Sequence, residues 1–201
     1  MNRTPCLLLA GLVCCACLTA LWAADGDLRA IDASRSRLEV QVYKSGFLSA
    51  FGHNHEIEAP IDYGKVELSA TPSVVLRVDA RKLEVLDPDV SADTRAEIQT
   101  TMEGPQVLDA SHFSEIQFQS TTVEARGTDH WTVHGDLTLH GQIHPADLDV
   151  TLKDGLYSGS ATLRRTHFGI KPVAVAGGTV KVKDEIKVQF KIALMTVSPS
   201  L

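Results

Sequence analysis

An all-β fold is what this sequence predicts: seven or eight antiparallel strands, closed into a barrel or stacked as a sandwich, with a single helix. Apolar and polar residues alternate with a period of two in run after run, and glycine-bearing turn signals separate those runs. Only one short stretch has helical spacing.

The N-terminus precedes that pattern. Arg3 leads a nearly unbroken apolar run from Cys6 to Trp22, which ends in Ala23 and Ala24 before Asp25-Gly26-Asp27. This is the layout of a secretory signal peptide, assigned to residues 1–24. The run is shorter than the roughly 20 residues a helix needs to cross a bilayer. The mature chain, a single domain over residues 25–201, is therefore expected to carry no transmembrane anchor. All four cysteines, Cys6, Cys14, Cys15 and Cys17, fall in the leader. A mature chain without disulfides must be stabilised by its core, and an exported one of this kind suits a periplasm. The competing route, acylation at Cys17 as a lipoprotein, has Cys14 and Cys15 where a lipoprotein leader usually carries other residues. Loss of the leader removes Arg3 and no acid, so the formal charge of −6 becomes −7, from 18 basic and 25 acidic residues. That balance argues against nucleic acid and against an anionic membrane surface as partners.

The strands follow in order. Leu38, Val40 and Val42 alternate with Glu39 and Gln41; Val66 and Leu68 with Lys65 and Glu67; Leu76, Val78 and Ala80 with Arg77 and Asp79. From Ser91 to Met102 the spacing of Ala92, Ala96, Ile98 and Met102 predicts a helix, stopped by Gly104-Pro105. Alternation resumes at Ile116 and Phe118, again from Trp131 to Leu139, and again from Ala146 to Leu152. The cleanest strand is the last, with Ile186, Val188, Phe190, Ile192 and Leu194 set against Lys187, Gln189 and Lys191. Turns are expected at Asp62-Tyr63-Gly64, Gly127-Thr128-Asp129, Lys153-Asp154-Gly155 and Gly177-Gly178. Ser120, Thr122, Ser160 and Thr162 are read as mixed among the inward residues, which favours a lumen filled by something else over a sandwich core.

Four stretches, in order, resemble the YceI-like family. FSEIQFQST at Phe113 to Thr121 resembles the family's Phe-Pro-x-Ile-x-Phe-x-Ser stretch, with Ser114 where proline is usual. LTLHGQIHP at Leu137 to Pro145 keeps His140, Gly141 and Pro145 of a second family stretch. HFGIKP at His167 to Pro172 and the tail from Gly177 to Leu194 resemble two more. Together these cover most of residues 35–195, while GHNHEI at Gly52 to Ile57 resembles only a subset of the family. The resemblance implies an elongated, lipocalin-like eight-stranded antiparallel β-barrel with one helix near an end. It also implies a polyisoprenoid or other long-chain lipid as ligand, and it allows a homodimer.

An eight-stranded barrel is just wide enough inside to be packed or to admit one slender molecule. Gly159 and Ala161, with their neighbours Ser160 and Thr162, stand where a packed barrel would want Leu or Phe, and the expectation is space for a chain. Phe47, Phe51, Ile116, Phe118, Trp131, Leu137, Leu139, Phe168 and Ile170 are the expected ligand-binding residues. The helix is expected near the entrance, and Gly46 to Gly52 is read as either a flap or ordinary strand-end packing.

His53 and His55, at i and i+2, would share one face of a strand within reach of one metal ion, the alternative reading. Spacing alone assigns no third ligand from His134, His140 or His167. His134 is expected to be solvated, and His140 to make a structural hydrogen bond near a strand end. Arg164 and Arg165 could clamp an anionic headgroup, but alternation sends them to opposite faces and favours a surface pair. No nucleophile elbow, Cys-His pair or phosphate loop is present; Ser158 lacks the glycine two residues before it. The expectation is a carrier, with no catalytic residues and no cofactor.

Overall fold

The computed structural model describes residues 27–45, 54–171, 174–175 and 180–196. The leader, Phe47, Phe51, His53 and Gly177-Gly178 lie outside the described residues.

Twelve strands are described: β1 (Asp27–Ala30), β2 (Arg37–Ser45), β3 (His55–Glu58), β4 (Ile61–Leu68), β5 (Ser73–Asp79), β6 (Glu84–Val85), β7 (Glu115–Gly127), β8 (His130–Leu139), β9 (Gln142–Lys153), β10 (Leu156–Arg164), β11 (Ala174–Val175) and β12 (Val180–Ala193). The helix α1 spans Ala92–Glu103. All the strands join one antiparallel sheet in the order β1-β4-β5-β7-β8-β9-β10-β12-β2-β3-β6, with β11 added to β12. The strand count exceeds the expected eight because four short segments, β1, β3, β6 and β11, extend the sheet without the long alternation that marks a strand in sequence.

The sheet is strongly curled, and no ladder joins the two ends of its order. The chain itself spans the gap. β3, near one end, runs through Ala59-Pro60 into β4, near the other, and Ala59 still donates its N–H to the Leu38 carbonyl at 2.9 Å. A bridge between Ile31 and Leu194 ties the residue after β1 to the end of β12. In a pleated sheet directly opposed residues share a face. Val40 with Ile57, Phe118 with Leu137 and Phe190 with Gly159 are such pairs, and all look inward.

Two expected features differ. Asp62-Tyr63-Gly64 is no turn but lies inside β4, across a register shift between Ile61 and Tyr63. Gly64 is there for space, since a Cβ would stand 2.3 Å from the Ile31 Cδ1. Ser160 and Thr162 do not face inward. They oppose Gln189 and Lys187 on the outer face, while Ala161 opposes Val188 inside. Thr122 is exposed beyond a bulge, and the Ser120 hydroxyl accepts the Val74 N–H at 2.8 Å. The turns at residues 127–129 and 153–155 form as expected.

Candidate functional site

The inner face of the sheet encloses a cavity of about 460 Å³, within the range of roughly 300–1,000 Å³ typical of small-molecule sites. Every long strand contributes to its wall: Leu38 and Val40 from β2, Val66 from β4, Leu76 from β5, Val133 from β8, Leu148 from β9, Leu163 from β10 and Val188 from β12. Of the residues expected to bind ligand, Ile116, Phe118, Trp131, Leu137 and Leu139 line this cavity. Phe168 and Ile170 do not. They are 1% and 3% exposed and belong to the packed core. Sequence alternation could not separate lining from packing there, because both positions follow β10 in a short 3-10 turn and its exit.

The cavity is sealed at one end and open at the other. Val78, Leu83, Leu108 and Leu139 close the helix end, all buried. At the far end Leu68, Pro72, Val74, Val123, Trp131 and Tyr157 are only half-buried. The opening follows from strand pairing. β5 and β7 pair as far as Val75 and Gln119, after which β7 continues to Gly127 with β8 alone. A notch is left between the β4–β5 and β7–β8 hairpins. The helix therefore sits at the closed end, not at the entrance. Gln99 holds it there, accepting the Val85 N–H at 2.8 Å and donating to the Leu83 carbonyl at 2.7 Å.

Small inward residues do not leave the void that the sequence suggested. A Cβ on Gly159 would stand 2.5 Å from the Phe190 Cζ, and one on Gly135 would stand 2.4 Å from the Phe118 Cζ. The glycines let two aromatic rings lie flat across the wall. Polar lining is confined to Ser69, Ser73 and Tyr157, all at the open end. The wall is thus more uniformly apolar than alternation implied.

Of the histidine pair, His55 is described. Its Nδ1 lies 2.6 Å from the Asp87 carboxylate, which also accepts the Glu56 N–H at 2.7 Å. Asp87 is 3% exposed. This partner was not legible in the sequence, where Asp87 sits in a polar connection 32 residues away. Among the described residues no group of three or more His, Cys, Asp or Glu side chains is placed to hold a metal ion.

His134 faces outward but is not simply solvated, since its Nδ1 is 2.7 Å from Asp147 on β9. The His140 Nδ1 lies 3.0 Å from the Phe168 carbonyl, a structural bond next to a turn. Arg164 is exposed beside Glu185, but Arg165 is buried and donates to the Lys183 carbonyl through Nε and Nη2, at 3.1 and 2.6 Å. The expected surface pair is therefore half wrong. The chain leaves β10 at Arg165, so alternation no longer sets its direction. Burial lowers the Arg165 pKa, and neither arginine lines the cavity.

Among the described residues no helix is long and apolar enough to cross a membrane. A family model described as the YceI-like domain matches residues 30–194. A UPF0312 protein of Vibrio cholerae is 26% identical over 167 residues, which cover 78% of this chain and 82% of that protein. The fold is similar to that of Burkholderia cenocepacia BcnA, with a TM-score of 0.62 at 15% identity, covering 83% of this chain and 99% of that one. It is also similar to a polyisoprenoid-binding domain from Saccharophagus degradans, with a TM-score of 0.51 at 14% identity, covering 81% and 95% of the two chains.

Proposed function

The chain belongs to the YceI-like domain family, and from that premise we propose that it is a periplasmic binding or carrier protein for a long-chain apolar amphiphile such as a polyisoprenoid. The tail is held in the lumen and no chemistry is done on it. The observation that carries this reading is a cavity of about 460 Å³, walled by aliphatic and aromatic side chains and open at one end. Burial contributes roughly 0.8 kcal/mol per CH₂, so one five-carbon isoprene unit contributes about 4 kcal/mol. Three units reach the ~12 kcal/mol of nanomolar binding before ordering costs are subtracted. Affinity therefore comes from the wall, and no metal or covalent step is required for it.

Native mass spectrometry of the protein purified from its own host tests this. The expected spectrum carries the mass of a lipid. A bare polypeptide contradicts the proposal, and a bound divalent ion transfers the assignment to the metal reading through His53 and His55.

A further inference from the structure

The apolar wall says nothing of the ligand's head, but the rim does. Opposite-residue pairing sets Asp27 against Leu68 and Arg29 against Val66. Leu68, Val66 and Ile31 all line the cavity. Asp27 and Arg29 therefore stand on the lumen-facing side of β1, at the open end. At the same end Tyr157 lines the cavity, its ring 6.0 Å from that of Trp131; it opposes Ile192 of β12, and Leu194, two residues on, bridges Ile31 next to β1. The Tyr157 hydroxyl has no hydrogen bond to any described residue, and burial raises its pKa. Tyr157, Asp27 and Arg29 thus stand at the same end of the lumen.

The charges there are already matched. Arg29 Nε donates to Asp27 Oδ2 at 2.8 Å, and Nη2 donates to the same oxygen. A phosphate or carboxylate head would have to compete with Asp27 for the guanidinium while lying beside that carboxylate. A neutral group able to donate to a carboxylate and accept from a phenol meets no such penalty.

Resting on the carrier reading above, we propose that Asp27, Arg29 and Tyr157 form a head-group subsite selective for an uncharged hydrogen-bonding head, such as an alcohol, over a phosphorylated one. Asp27 sets the selectivity by occupying the guanidinium. Tyr157 supplies the hydrogen bond that distinguishes a head from none.

The test is a calorimetric titration of the protein with three ligands sharing a C20 isoprenoid tail: the free alcohol, the diphosphate and a headless hydrocarbon. Wild-type protein is expected to prefer the alcohol over the diphosphate by about tenfold or more. Asp27→Asn is expected to shift that ratio about tenfold toward the diphosphate. Tyr157→Phe is expected to lower the preference for alcohol over hydrocarbon about fivefold, the worth of one hydrogen bond. A diphosphate that binds as well as the alcohol, or ratios that neither substitution moves, overturns the subsite while leaving the carrier reading intact. Failure of all three ligands to bind overturns the carrier reading and the subsite with it.

Discussion

At Gly159 one missing Cβ sets the shape of the lumen. A methyl group there would meet the Asp149 carbonyl at 2.1 Å as well as the Phe190 ring. The backbone atom cannot give way as a side chain could, so Gly159→Ala is predicted to cost about 1–3 kcal/mol, read by urea denaturation. Leu139 is 7% exposed at the floor of the cavity. Leu139→Arg would bury an unpaired charge, and the predicted result is loss of the folded state or of lipid uptake, checked by circular dichroism and native mass spectrometry. At the surface, a side-chain hydrogen bond from Arg81 holds the Asp79 pKa down to about 2, from 3.8. A depressed carboxylate stabilises the fold above its unfolded value and stops doing so as pH falls through its folded value. Asp79→Asn keeps the acceptor for the Arg81 N–H, so it is predicted to flatten only the loss of thermal stability between about pH 4 and pH 2. Single residues were legible in the sequence where alternation governs them, as at Ile116, Phe118 and Leu137. They were not legible where a contact over long sequence separation governs them, as for Gly64 beneath Ile31 or Asp87 beside His55.

At the scale of elements, α1 and its flanks form a stopper. The Ser91 hydroxyl accepts the Thr94 N–H and starts the helix, Gly104 ends it, and only Met102 is fully buried. So weakly apolar a helix is held by its ends and by Gln99 rather than by a wide greasy face. The connection leading to it is fastened by Asp87, through Glu56 and His55, and by the Leu86 N–H to the Glu56 carbonyl at 2.8 Å. Asp87→Ala leaves the Glu56 N–H without its acceptor, which is predicted to cost about 1–3 kcal/mol. Amide hydrogen exchange should quicken at Glu56 and Leu86 and stay unchanged in β8. Equal quickening throughout would show that Asp87 supports the whole sheet and not the stopper. The sequence named this helix correctly by its period and its Gly104-Pro105 stop, yet could not say which end of the barrel it covers. Period describes one element, whereas the closed end is defined by Val78, Leu83, Leu108 and Leu139 from four places in the chain.

For the molecule as a whole, the all-β class and one helix followed from period and turn chemistry, and the family from four ordered stretches. The manner of closure did not. Where β5 leaves β7, and where β3 bends into β4, depend on register between distant strands; the first creates the opening and the second spans the gap between the ends of the sheet. A folded state that binds lipid should gain stability by mass action, about 2.7 kcal/mol at a ligand concentration one hundredfold above Kd. For a chain of this size that is a rise in Tm of roughly 5–10 °C, which differential scanning calorimetry with a C20 isoprenoid alcohol would record. The most direct measurement is the anomalous diffraction of a crystal grown with a bromine-labelled isoprenoid alcohol. A single bromine peak inside the ring formed by Leu76, Leu137 and Val188 is the predicted result. Bromine confined to the outer face, or an empty lumen at saturating ligand, would contradict it.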